Sequence, residues 1–118
     1  MWTQVTPSNK EAAGSYTSTT NTVTDSVTQM SCVIVYKNQA GTATLNTDLK
    51  VSLSADNGSN FTLTNLTATN TSAIATSHIT ATSNKVTVTA GTQLKYKVEF
   101  ANQSASKDTR IQGISLIF

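Results

Sequence analysis

The amino-acid sequence predicts an all-β domain, an antiparallel β-sandwich or jelly-roll-like fold of about seven strands with an extended N-terminal arm. Ser, Thr and Asn make up about two-fifths of the 118 residues, and Thr favours strands whereas Asn and Ser favour turns. Several segments alternate apolar and polar residues, which is typical of strands with one buried face. No segment shows the apolar spacing of an amphipathic helix, and the length suits one core rather than two.

The N-terminal quarter differs in composition from the rest of the chain. Residues 1–29 are predicted to form an extended polar N-terminal arm or edge strands, and residues 30–118 the β-sandwich domain. Isolated apolar residues in the arm, Trp2, Val5 and Tyr16, are candidate interface residues. Two interpretations stay open, because these side chains can pack on the domain's own sandwich or dock on a neighbouring subunit.

The first strong strand signals lie between residues 31 and 63. Residues 31–36 form a nearly continuous apolar run, which predicts a strand that is buried on both faces or lies in the middle of a sheet. Cys32 within it is the only cysteine, so it is predicted to be a small buried hydrophobic residue. Residues 49–54 alternate strictly, a polar turn follows, and Phe61 and Leu63 mark the return strand. This is the clearest hairpin in the sequence.

The turn of this hairpin resembles the Asp-box, whose pattern is Ser-x-Asp-x-Gly-x-Thr followed by Trp or Phe. The chain has Ser54, Asp56, Gly58 and Phe61 at the corresponding positions, with Asn60 where Thr is usual. Asp56 is predicted to accept hydrogen bonds from backbone amides, Gly58 to adopt positive φ, and Phe61 to cover the base of the hairpin. The motif occurs in sialidases and in many unrelated β proteins, so one copy is interpreted as structural.

The following segment is weaker in signal. Residues 67–82 are a low-complexity stretch of Ala, Thr, Ser and Asn, in which one weak strand is predicted at residues 73–79. Residues 85–90 alternate again. Gly91 and its neighbours at 90–92 are predicted to turn the chain into the next strand.

The densest apolar segment is the C-terminal one. Residues 94–100 should form a central strand with Tyr96 and Phe100 in the core and Lys95 and Lys97 in solvent. Residues 110–118 should form the last strand, which is expected to bury its final residues. Strict alternation along it places Ile114, Leu116 and Phe118 on one side and Ile111 and Ile117 on the other.

The sequence offers few groups for catalysis. The acids are dispersed, and the single histidine, His78, has no carboxylate near it in sequence. No Gly-rich phosphate loop, CxxC motif or nucleophile elbow is present. We therefore predict no catalytic, cofactor-binding or metal-binding residues and no cofactor. A small hydrolase remains a third alternative, since acids that are distant in sequence can still meet in space.

Charge and hydropathy argue against two further kinds of partner. The eight Lys and Arg residues are scattered and the net charge is only +2, which predicts no nucleic-acid partner. No apolar run is long enough to span a bilayer, and the N-terminus lacks the features of a signal peptide, which predicts no membrane partner.

The C-terminal hairpin carries a resemblance to β-rich structural proteins of tailed bacteriophages. In those proteins a Tyr-Lys-x-x-x-x-Asn strand leads into an Arg-Ile-x-Gly-x-Ser-Leu strand that ends on an aromatic residue. The matching residues here are Tyr96, Lys97, Asn102, Arg110, Ile111, Gly113, Ser115, Leu116 and Phe118. The hairpin that begins at residue 49 is similar to theirs as well, so the resemblance covers about residues 49–118.

This resemblance implies a non-enzymatic virion protein that is made in the cytoplasm of a bacterial host. The favoured role is a capsid decoration, or cement, protein on the outer surface of the particle. Its partners would be the major capsid protein or other virion proteins, and it would form a homo-oligomer such as a trimer. The alternative is a tail-fibre or receptor-binding module that contacts the host surface through loops at residues 65–72 and 102–108.

Overall fold

The computed structural model of the protein describes residues 2–3, 14–70, 78–104 and 106–118. Within these residues the chain forms nine strands and no helix, and all strand pairings are antiparallel. The predicted all-β antiparallel fold is thereby confirmed. The described residues form nine strands where about seven were predicted, partly because two of the strands have only two residues each, too few to show an alternation of apolar and polar residues. The strands are β1 (Trp2–Thr3), β2 (Gly14–Thr17), β3 (Asn21–Ala40), β4 (Leu49–Ser54), β5 (Thr62–Leu63), β6 (Leu66–Asn70), β7 (His78–Ser83), β8 (Val86–Phe100) and β9 (Asp108–Ile117).

The strands form two halves of one curled sheet. One half has the order β1-β9-β3-β7-β6 and the other the order β2-β8-β4-β5, while β3 and β8 also pair with each other and join the halves. Side chains from both halves meet in a single core cluster, for example Ile34 and Ile114 from the first half and Leu53 and Val98 from the second. Burial between the halves is what makes the curled arrangement stable.

The longest strand, β3, bends, and it pairs with strands of both halves of the sheet. Twenty residues of straight strand would extend about 66 Å, whereas the longest dimension of the molecule is 42 Å. Its first half pairs with β8, and its second half, from Ser31 onward, lies between β9 and β7. The register against β8 shifts between Thr22 and Val27 and again before Gln29, and such irregularities bend a strand. The apolar run predicted to be central is therefore central.

The turn predicted at residues 90–92 is wrong, because β8 continues through it. Gly91 faces the hairpin turn after β4, where a Cβ would overlap the carbonyl oxygen of Ala55. Next to it Gln93 N–H donates to that same oxygen at 3.0 Å, and Gln93 accepts from Asn57 N–H at 2.9 Å. The glycine therefore permits a close approach of two backbones rather than a reversal of the chain.

The last strand contains a bulge that the sequence analysis missed. Val35 of β3 pairs with Gly113 and Tyr36 pairs with Ile111, so that Gln112 has no residue opposite it. The extra residue shifts the alternation of side chains along β9. Ile111 and Ile114, three positions apart, are consequently both in the core, with 0% and 1% of their surface exposed, although strict alternation predicted opposite sides.

The expected burial of the final residues is also wrong. Ile117 and Phe118 expose 50% and 57% of their surface, and the last buried side chain of the segment is Leu116. Ile117 points away from the core because it alternates with Leu116, and Phe118 lies beyond the end of β9.

Part of the predicted N-terminal arm lies in the sheet. Residues 14–17 and the first half of β3 run along β8, and β3 passes through the position at which we place the domain boundary. The rest of the arm, apart from residues 2–3 and 18–20, lies outside the described residues. So does most of the weak strand predicted at residues 73–79, and β7 begins only at His78.

Candidate interaction site

The three candidate interface residues are described to different extents. Val5 and the side chain of Trp2 lie outside the described residues, and the backbone of Trp2 pairs with Ser115 of β9. The ring centroid of Tyr16 lies 6.3 Å from that of Tyr96, and 42% of Tyr16 is exposed. Tyr16 therefore contacts the domain's own sheet and still presents an aromatic surface to solvent.

The turn between β4 and β5, which resembles an Asp-box, is held by side-chain hydrogen bonds. Ser54 Oγ donates to Asp56 Oδ1 at 2.7 Å and accepts from Gly58 N–H at 3.0 Å. The Asp56 carboxylate accepts both Asn60 N–H, at 2.9 Å, and Asn60 Nδ2, at 2.8 Å. The bonds from Asn60 and then from Ser54 lower the pKa of Asp56 from 3.8 to about 2. Asn60 thus adds a donor to the carboxylate from the position where Thr is usual.

Phe61 packs along the same turn. A Cβ on Gly58 would lie 3.4 Å from the Phe61 ring, so the ring rests against this glycine. The Lys97 ammonium lies 5.0 Å from the ring centroid on the neighbouring part of the sheet, a distance typical of a cation–π contact. The turn, its aromatic residue and a lysine of β8 therefore form one local unit.

Replacing Gly58 with valine is expected to lower the free energy of unfolding by about 1–3 kcal/mol. Gly58 has a φ of +83°, which a β-branched residue adopts only with strain. The space around it is ordinary, so the loss should come from the backbone rather than from a clash. Urea denaturation measures the effect. Gly58→Asn is the matched control, because Asn tolerates positive φ, and equal losses for both variants would contradict this explanation.

A second polar centre joins two loops at the other end of β4. The Asp48 carboxylate accepts hydrogen bonds from Thr44 N–H at 2.8 Å, Asn102 Nδ2 at 2.7 Å and Lys107 Nζ at 2.9 Å. Only 3% of its side chain is exposed. The Thr44 bond first, then those of Asn102 and Lys107, lower the pKa of Asp48 from 3.8 to about 2. Asp48 therefore fixes the loop after β8 against the loop before β4.

These two carboxylates predict acid sensitivity. Both pKa values are about 2 in the folded protein and 3.8 without these contacts, so the unfolded chain binds more protons between about pH 4 and about pH 2. The stabilisation is complete above this window and is lost as the pH falls through it. Urea midpoints measured across the window should fall for the wild type and fall less for Asp48→Asn with Asp56→Asn. An unchanged pH slope in the double variant would contradict the assignment.

Two further acids, Asp108 and Glu99, are held by separate partners. Asp108, 5% exposed, accepts from Arg110 Nη2 at 3.0 Å, and Glu99 lies 3.8 Å from Lys97 Nζ. Within the described part of the chain, no three His, Cys, Asp or Glu side chains are grouped closely enough to hold a metal ion. Asp48, Asp56, Asp108 and Glu99 are thus held by separate partners.

Cys32 is buried, as predicted, with 1% of its surface exposed. Burial raises the pKa of its thiol to about 11, an effect that a hydrogen bond with Ser83 partly offsets. The thiol is consequently protonated at neutral pH, which suits a packing role.

A group of charged side chains shares the outer side of β4 and β8. We call this surface the lysine face and define it by Lys50, Lys95, Lys97 and Glu99. Lys50 pairs with Glu99 across the two strands, and the alternation of β8 turns its two lysines away from the buried Leu94, Tyr96 and Val98. Three lysines against one glutamate leave the face with a formal charge of +2, equal to that of the whole chain.

Apolar side chains border the lysine face on the side of β5. Ser52 of β4 pairs with Lys97 on one side and with Leu63 on the other, so all three point to the same face of the sheet. Leu63 is 57% exposed, and the half-buried Phe61 lies beside it in the chain. The face thus combines positive charge with an exposed apolar edge.

Sequence reasoning found the members of these sites but not their grouping. Lys95 and Lys97 are correctly predicted to face solvent, opposite the buried Tyr96, whereas Lys50 and Leu63 join them only through strand pairing. The burial of Asp48 was missed altogether. The local signal for it was its position directly before the strictly alternating strand, which is too common to be specific.

By its fold, the chain belongs to the class of antiparallel all-β proteins. Comparison with protein-family models, curated proteins and solved structures gives no significant match. Within the part of the chain that the structure describes, no helix is long and apolar enough to cross a membrane.

Proposed function

We propose that the protein is a non-enzymatic structural protein of a tailed-bacteriophage virion, and specifically a capsid decoration protein on the outer surface of the particle. The observation that carries the proposal is the exposure of large apolar side chains on a small polar β domain. These are Tyr16, Leu63, Ile117 and Phe118, each between 42% and 57% exposed. Such side chains are suited to attachment to another protein surface.

The arrangement of the polar groups is in keeping with attachment. Asp48, Asp56 and Asp108 are each engaged with neighbouring donors and stabilise turns and loops of the domain. The proposed partners are the major capsid protein or other virion proteins, and the proposed form is a homo-oligomer such as a trimer. Binding to the assembled shell in preference to free subunits would stabilise the shell by the difference in binding free energy.

The test is the copy number of this chain in purified virus particles, measured by quantitative mass spectrometry. A decoration protein should be present in a fixed, high proportion to the capsid subunits. A few copies per particle would support the alternative, a tail-fibre or receptor-binding module, and absence from the particles would overturn both. Shells stripped of the protein should also disassemble at a lower temperature than shells to which it is restored.

A further inference from the structure

We propose that the lysine face is a docking surface for an acidic protein surface that also carries an apolar side chain. The face carries three lysines and one glutamate, whereas two basic side chains elsewhere in the described chain are neutralised by neighbouring acids. Lys107 is paired with Asp48 at 2.9 Å and Arg110 with Asp108 at 3.0 Å. Charge complementarity of this kind selects partners and accelerates their association.

Part of the positive charge on this face is not neutralised by described acids. Lys97 is partly engaged, with Glu99 at 3.8 Å and with the Phe61 ring at 5.0 Å. Lys50 and Lys95 form no ion pair with any described residue. Their ammonium groups are thus available to carboxylates of a partner.

The scaffold fixes the spacing of these charges. The part of β8 that carries Lys95 and Lys97 pairs with β4 on one side, and Lys97 also pairs with Thr17 of β2 on the other. A strand that is hydrogen-bonded on both sides holds the Cα atoms that carry its side chains at fixed spacings. Less ordering entropy is then lost when a partner binds.

The neighbouring side chains favour a protein over a nucleic acid. Proteins that bind single-stranded nucleic acid offer aromatic rings for base stacking, but the aromatic ring at this face, Phe61, is in contact with the Lys97 ammonium. The exposed group is instead the aliphatic Leu63. An aliphatic contact beside charged residues is the usual composition of a protein interface.

Binding of a fluorescent glutamate-rich peptide that contains leucines tests the proposal, with the full chain at several salt concentrations. Binding should weaken with salt, and Lys50→Gln with Lys95→Gln should weaken it about tenfold. The matched control, Lys37→Gln with Lys85→Gln, makes the same change in net charge away from the face and should keep wild-type binding. An equal loss in the control, or no binding by the wild type, would overturn the proposal.

A second set of measurements tests the chemistry of the partner. Leu63→Ser should weaken binding of the leucine-containing peptide but not of the same peptide with serines in place of leucines. Oligothymidylate of equal charge and vesicles containing phosphatidylserine should bind more weakly than the leucine-containing peptide. Equal or tighter binding of either would overturn the assignment to an acidic protein. Failure here would leave the copy-number test of the virion proposal unaffected, because the two measure different properties.

Discussion

Replacing Leu94 with alanine is expected to lower the free energy of unfolding by about 3–4 kcal/mol, the middle of the range for buried leucines. Leu94 has 0% of its surface exposed and lies on β8 between the two halves of the sheet. A cavity of about 60 Å³ already borders it, and Ile114 and Leu116 line the same space. The substitution would enlarge this void within walls of hydrogen-bonded strands, which cannot collapse easily to fill it.

Equilibrium unfolding in urea measures this loss, with the slope of the transition as a check that unfolding remains two-state. Leu63→Ala is the matched control, because the same atoms are removed from a side chain that is 57% exposed. It should cost less than about 0.5 kcal/mol. Similar losses for the two variants would mean that Leu94 does not have the packing described.

Replacing Gly91 with alanine is expected to cost about 3 kcal/mol, near the upper end of the usual range for overpacking. The added Cβ would overlap the Ala55 carbonyl oxygen and lie 2.8 Å from the Ala55 carbonyl carbon and 3.2 Å from Asp56 Cα. All three are backbone atoms, so no side-chain rotation relieves the contact. The hairpin turn or β8 must shift, and the bond from Gln93 N–H to Ala55 must lengthen.

Gly14→Ala is the control for this substitution, since a Cβ at Gly14 would meet nothing within 4 Å. Alanine there should be close to neutral, because only the entropy of the unfolded chain changes. The midpoint of urea denaturation compares the two variants directly. A neutral Gly91→Ala would show that the turn and β8 are further apart than described.

The two expected effects share one structural origin. Leu94 and Gly91 lie in the region of β8 where the strand leaves its pairing with β3 and enters its pairing with β4. In this region Leu94 is packed in the core, and the backbone of the hairpin turn comes close to Gly91. This region of β8 should therefore be the least tolerant of changes in side-chain volume.

The hairpin was predictable because its signals are local. Alternation from residue 49 to 54 identified β4 with its correct bounds. The spacing of Ser54, Asp56 and Gly58 pointed to a tight turn, since its hydrogen bonds join residues no more than four positions apart. Local geometry of this kind depends on few residues, so a short motif is sufficient to indicate it.

The same local reasoning failed where the role of a residue depends on a partner that is distant in the sequence. Gly91 was assigned to a turn because glycine is common in turns, yet its role is set by Ala55 on another strand. Ile111 was assigned to the wrong side because the bulge at Gln112 is defined by pairing with β3. The burial of Asp48 was not predicted, because its partner Lys107 is 59 positions away in the sequence.

By itself, the sequence determined the all-β class, the bounds of β4 and the buried face of the second half of β8, because alternation with period two is a property of consecutive residues. Only the tertiary structure decided that β3 and β8 bend to serve both halves, that Asp48 fastens two loops, and that Lys50 joins Lys95 and Lys97 on one face. Those arrangements depend on which strands pair and in which register. The register is selected by burial of the whole core rather than by any one segment.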